Sequence, residues 1–160
     1  MTKQEIHQLF IARLGKELET ITAAARNAFE AATSDEHHAE NKYDTFSLES
    51  SYLARGQAKR VGELSEALER LQQLPLKTLE PTTPILLSAL VRLQAGDGEK
   101  RTVFIGPAAG GEALEAEEET IVIVTSRSPL GQALLGKVVG DAFDIKMGPL
   151  AQTFTVMSVE

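Results

Sequence analysis

From Thr2 to Ala32 the only residue that opposes a helix is Gly15, and apolar positions fall at Ile6, Phe10, Leu14, Leu18, Ile21, Ala25, Ala28 and Ala32. Steps of three and four hold these residues on one seam. A helix of that length reaches about 46 Å at about 1.5 Å per residue. After the polar run Thr33–Lys42, a second seam passes through Phe46, Ser50, Leu53, Gln57, Val61, Leu64, Leu68 and Leu71 and stops at Pro75. Asn41 is placed to cap this second helix, and Asp44 suits the positive end of its dipole. Neither helix buries its seam alone. A short connection between helices of similar length favours an antiparallel coiled-coil hairpin. Its Leu-rich base lies near Leu64–Leu71, and its tip, at the Thr33–Lys42 run, is slender and rich in Ala.

Past Pro75, Pro81 and Pro84 the period changes. Ile85–Leu93 and Arg101–Ile105 read as strands around Gly96-Asp97-Gly98. Glu119–Thr125, Ala142–Met147 and Thr153–Val159 read as three more, and Glu115–Glu119 as a solvated turn. Ser128 caps a short helix, Pro129 takes its first position and Gly136 ends it. The expected fold is α+β: residues 1–75 form a helical hairpin with an acidic tip, 76–84 a proline-rich linker, and 85–160 an antiparallel sheet with one short helix.

Composition narrows the function. The net charge is −7 over 160 residues, with no cysteine. A protein that holds nucleic acid by bulk charge needs a surplus of Lys and Arg, so strong independent binding is not expected. The lack of cysteine removes disulfides, thiolate zinc sites and thiol nucleophiles. No apolar stretch is long enough to cross a membrane and no basic-then-apolar leader is present, so the expected location is cytoplasmic.

The run Ser128-Pro129-Leu130-Gly131-Gln132-Ala133-Leu134-Leu135-Gly136-Lys137, followed by Val138-Val139-Gly140-Asp141, resembles the C-terminal signature of the Gre transcript-cleavage factors. Val103-Phe104-Ile105-Gly106-Pro107 is similar to that family's V-G-P strand end. The long hairpin, its acidic tip and Glu40-Asn41 followed by Tyr43 are similar too. The resemblance implies an FKBP-like C-terminal domain without prolyl isomerase activity. It implies an accessory elongation factor, not an enzyme in its own right. The partner would be RNA polymerase, docked at the rim of its secondary channel through Ser128, Pro129 and Leu130, with Arg127 beside them. Contact with the nascent RNA 3′ end would be indirect, and contact with DNA would come through the polymerase complex. The tip carboxylates would help coordinate a Mg2+ shared with the polymerase active site, for cleavage of backtracked RNA, with no cofactor of the protein's own.

The tip reads Ser34-Asp35-Glu36-His37-His38-Ala39-Glu40-Asn41-Lys42-Tyr43-Asp44. Magnesium is typically held by one or two carboxylates plus water and phosphate oxygens, so a partial ligand set is good chemistry there. Glu40 is the first candidate, because Glu40-Asn41 matches the family's E-N. Asp35 and Glu36 follow. Asp35 is followed three residues later by His38, where the family has Glu. Two pairings therefore stay open: Glu36 with Glu40 on a helical face, or Asp35 with Glu40 in a loop. The metal ligands would be Asp35 and Glu40, acting only within polymerase. The same departure motivates an alternative, a regulator that occupies the secondary channel without stimulating cleavage.

Arg55 and Lys59, four apart on the second helix with Arg60 beside them, are candidates for phosphate or polymerase contact, against salt bridging to the first helix. Leu48 and Tyr52 form an apolar pair off the main seam. His7 is expected at the surface near the hairpin base, and a monomer is the simplest state.

Overall fold

A computed structural model of the chain describes residues 1–33, 45–116, 119–147 and 150–160, with backbone alone at 31–33, 45–51, 147 and 150. Helix α1 spans Lys3–Thr33 and α2 spans Thr45–Gln72. Thr2 and Glu5 close the start of α1 reciprocally. The Glu5 N–H donates to Thr2 Oγ1 at 3.2 Å, and the Glu5 carboxylate accepts from the Thr2 N–H at 2.8 Å. This is a capping box, which satisfies two backbone donors that a helix start leaves open.

The α1 seam faces inward: Ile6, Phe10, Leu14 and Ala28 are buried, and Leu18 and Ile21 half-buried. On α2, Leu64 and Leu71 are buried, but the seam residue Leu53 is 56% exposed. Glu17 meets Arg60 at 3.2 Å across the two helices.

The chain divides into two compact units, one of Ile11–Glu69 and the other of Met1–Phe10 with Arg70–Glu160. The first is the helical unit. The second is built on a six-stranded mixed sheet: β1 (Leu90–Ala95), β2 (Lys100–Gly106), β3 (Ala113–Ala116), β4 (Glu119–Thr125), β5 (Ala142–Met147) and β6 (Leu150–Val159), with helix α3 (Pro129–Leu134) between β4 and β5. The spatial order is β3-β4-β2-β1-β6-β5. Every pairing is antiparallel except β2 with β4, which are parallel in the register Val103–Val122.

The register sorts the side chains onto two faces. One face carries Val91, Leu93, Val103, Val124, Phe143 and Phe154, and α3 packs Leu134 onto it with Leu130 and Leu135 half-buried. The other face presents Phe104, whose ring lies 6.2 Å from Phe10 and 5.9 Å from the His7 imidazole. His7 is therefore not at the surface: it is 4% exposed, and its Nε2 lies 2.8 Å from the Leu71 carbonyl oxygen. The ring fills an apolar layer while one polar atom finds a backbone partner, which makes burial tolerable.

Two strand expectations change. The strand expected over Ile85–Leu93 begins only at Leu90, because Ser88 takes a φ of +76°. The Ser88 N–H bonds the Ile105 carbonyl at 2.9 Å, and Ile85 pairs instead with Gly136 and Lys137. The expected turn at Glu115–Glu119 contains the end of strand β3, held by β4 through Leu114 opposite Ile121. Among the described residues no helix is long and apolar enough to cross a membrane.

Candidate functional site

The residues of the C-terminal run build one stitched turn. Ser128, with extended backbone, accepts the Gly131 N–H on its Oγ at 3.0 Å. The same hydroxyl donates to the Thr125 carbonyl at 2.9 Å, tying the start of α3 to the end of β4. Pro129 holds the first helical position, where its missing N–H costs nothing. Gly131 lies so close to β4 that a Cβ there would stand 1.9 Å from the Thr125 carbonyl oxygen. Gly136 ends the run at φ +84°, and its N–H bonds the Ile85 carbonyl at 2.9 Å. Asp141 closes the next turn by accepting the Val138 N–H at 2.9 Å.

Those duties account for Ser128, Gly131, Gly136 and Asp141. At the start of the turn Arg127 and Pro129 are exposed, and Leu130 is half-buried against the sheet core. All three line a cleft of about 570 Å³ on the α3 face of the sheet. Its floor is apolar, from Val122, Val124, Ile145 and Phe154, and the strap Gly110-Gly111 forms one wall. Strands β4 and β5 stand four places apart in the sheet, yet both reach this cleft, so the sheet curves around it. Helix α3 bridges the curve by packing on both.

Three cations rim the cleft: Arg101, Arg127 and Lys146. The Arg101 guanidinium sits 5.2 Å above the Phe154 ring centre, and its Nε reaches Glu99 at 3.3 Å. Among the described residues no Asp or Glu lines the cleft. Arg101, Lys146, Phe154 and the Gly110-Gly111 strap escaped the sequence reading. No local motif marks them; only the strand order and the sheet curvature bring them together.

A neighbouring cleft of about 620 Å³ shares Arg101, Val122, Val124 and Leu130 with the first but is mixed in charge, with Glu99, Lys100 and Glu119 in its lining. There Arg92 bridges Glu119 at 3.3 Å and Glu160 at 2.6 Å, and the Thr102 hydroxyl donates to Glu119. That hydroxyl, and then Arg92, hold the Glu119 carboxyl below its ordinary value.

On the helical unit, Arg55 is exposed, and Lys59 pairs with Glu63 at 3.8 Å on its own helix. Arg60 takes the cross-helix partner, Glu17. Tyr52 is 68% exposed, and the Leu48 side chain lies outside the described residues. Asp35, Glu36 and Glu40 also lie outside them. Among the described residues no group of three or more Asp, Glu or His is placed to hold a metal ion.

No protein-family model matches the chain, and no curated protein matches it. Among solved structures it is similar to GreA factor homolog 1 of Thermus thermophilus, at 21% identity over 94% of each chain and a TM-score of 0.37. It is similar to the Thermus aquaticus counterpart at 26% identity over 92% of each chain and a TM-score of 0.38. The elongation factor GreA/GreB of Nitrosomonas europaea matches at 19% identity over 60% of this chain and 78% of that chain, with a TM-score of 0.38.

Proposed function

We propose that this chain is an accessory elongation factor of bacterial RNA polymerase. It docks through the α3 turn of its sheet domain at the secondary-channel rim and offers hairpin-tip carboxylates to the polymerase active centre. One observation carries the reading. Once the stitching of the Gre-like signature is accounted for, Arg127, Pro129 and Leu130 remain on the lining of a cleft. Leu130 also packs against the sheet core, whereas Arg127 and Pro129 are exposed.

The tip chemistry follows from the residue types. A second magnesium ion stabilises both the attacking and the leaving oxygen of phosphoryl hydrolysis. Glu40, with Asp35 or Glu36, would supply carboxylate oxygens to an ion that belongs to polymerase. The factor then completes a site that it does not own, which is why no nucleophile and base of its own are needed.

A second reading is favoured by the Asp35-x-x-His38 spacing, which departs from the resembled pattern. On it, the chain occupies the channel and slows synthesis without stimulating cleavage. Stalled, backtracked complexes separate the two. The first reading expects faster transcript cleavage on adding the chain, lost when Asp35, Glu36 and Glu40 become amides or Ala. The second expects inhibition that survives those changes. No binding to polymerase overturns both.

A further inference from the structure

We infer that the cleft beside α3 takes an acidic protein segment carrying an apolar side chain, and that Arg127 and Lys146 select it by charge. The inference rests on the docking reading for its physiological partner, but its chemistry comes from the cleft alone.

Helix α3 is only six residues long, and of the floor Val124, Ile145 and Phe154 are buried. Leu130 and Val122 stay half-buried at its edge. An apolar side chain entering there would remove that surface from water. The rim adds sign. On a chain of net charge −7, a concavity whose described lining holds Arg101, Arg127 and Lys146 and no carboxylate departs from the background. Arg101 is engaged by Glu99 and by the Phe154 ring. Arg127 and Lys146 are exposed, and neither has an ion-pair partner among the described residues. Such charges steer encounter and reject partners of the same sign.

A nucleic acid fits less well. Single strands are held by bases stacked on exposed rings, and the Phe154 ring is buried beneath Arg101. An acidic, apolar-bearing protein segment satisfies floor and rim together.

The test uses the full chain, with circular dichroism confirming the fold of each variant. Binding is measured to core RNA polymerase, to a dye-labelled Leu/Glu peptide, to its Leu/Lys counterpart and to oligo(U) RNA. The Arg127→Glu, Lys146→Glu double variant is expected to weaken polymerase and Leu/Glu peptide binding about tenfold. Lys16→Glu makes the same kind of charge change on α1 and is expected to leave both unchanged. Polymerase binding that is indifferent to the double variant overturns the inference while the docking reading stands. A Leu/Glu preference that depends on Arg127 and Lys146, without polymerase binding, supports the inference while the docking reading falls. Equal binding of the Leu/Lys peptide, preference for RNA, or no binding to any probe overturns it.

Discussion

Gly131 and Gly15 make opposite demands on the same small residue. A methyl group at position 131 would meet the Thr125 carbonyl at 1.9 Å, and backbone cannot swing aside as a side chain can. Gly131→Ala should therefore cost at least about 3 kcal/mol. A methyl group on Gly15, inside α1, meets nothing within 4 Å. Gly15→Ala should stabilise by about 1 kcal/mol, because alanine is the better helix former. Urea midpoints of the two variants check both signs, and equal shifts would refute the contrast. Glu119 carries a pH dependence. Its carboxyl is held low by the Thr102 hydroxyl and by Arg92. Its stabilisation is thus complete above the unfolded-state value of about 4.3 and is lost as pH falls through the lower folded-state value. Glu119→Gln should flatten the acid side of the melting-temperature profile below that pH and leave its neutral shape alone. The sequence showed the Ser128 cap and the Pro129 start because both act within four residues. It did not show His7 as buried, since a polar ring in a helical pattern looks like surface until Phe104 and the Leu71 carbonyl arrive from distant segments.

At the scale of elements, the α1 seam was legible because each of its positions repeats the same geometry. The α2 seam was legible only in part: Leu64 is buried, and Leu53, on the same seam, is exposed. Leu64→Ala should destabilise by about 2–5 kcal/mol, and Leu53→Ala should stay within about 0.5 kcal/mol. Thermal or denaturant unfolding of the pair tests whether the open seam is real, and equal costs would contradict it. In the sheet, β2, β4 and β5 announced themselves through alternating or β-branched residues. β3 did not: Ala113–Ala116 has no strand preference of its own and is a strand because β4 pairs with it. The parallel match of β2 with β4 was equally hidden, since the short β3 detour between them says nothing about strand direction. Ser88 hid the true start of β1 in the same way, with a left-handed turn inside an apolar run.

At the scale of the whole molecule, the charge of −7 made a bulk nucleic-acid binder implausible from the outset. The structure sharpens that by giving the sheet domain a cleft whose rim is locally basic. On the proposed function, that basic concavity in an acidic protein is what docks on polymerase. Half of the candidate site was legible: the signature pointed to Ser128–Leu130. The rest of the cleft required the fold, and the tip residues Asp35, Glu36 and Glu40 lie outside what the structure describes. The central claim is that these tip carboxylates act inside polymerase. The most direct measurement is the single-turnover rate of transcript cleavage in backtracked complexes saturated with the chain or with its Glu40→Gln variant, polymerase binding being measured alongside. The account predicts strong acceleration by the chain and a loss of about 100-fold in the variant with binding unchanged. Equal acceleration by the two, or none by either when both are bound, would contradict it.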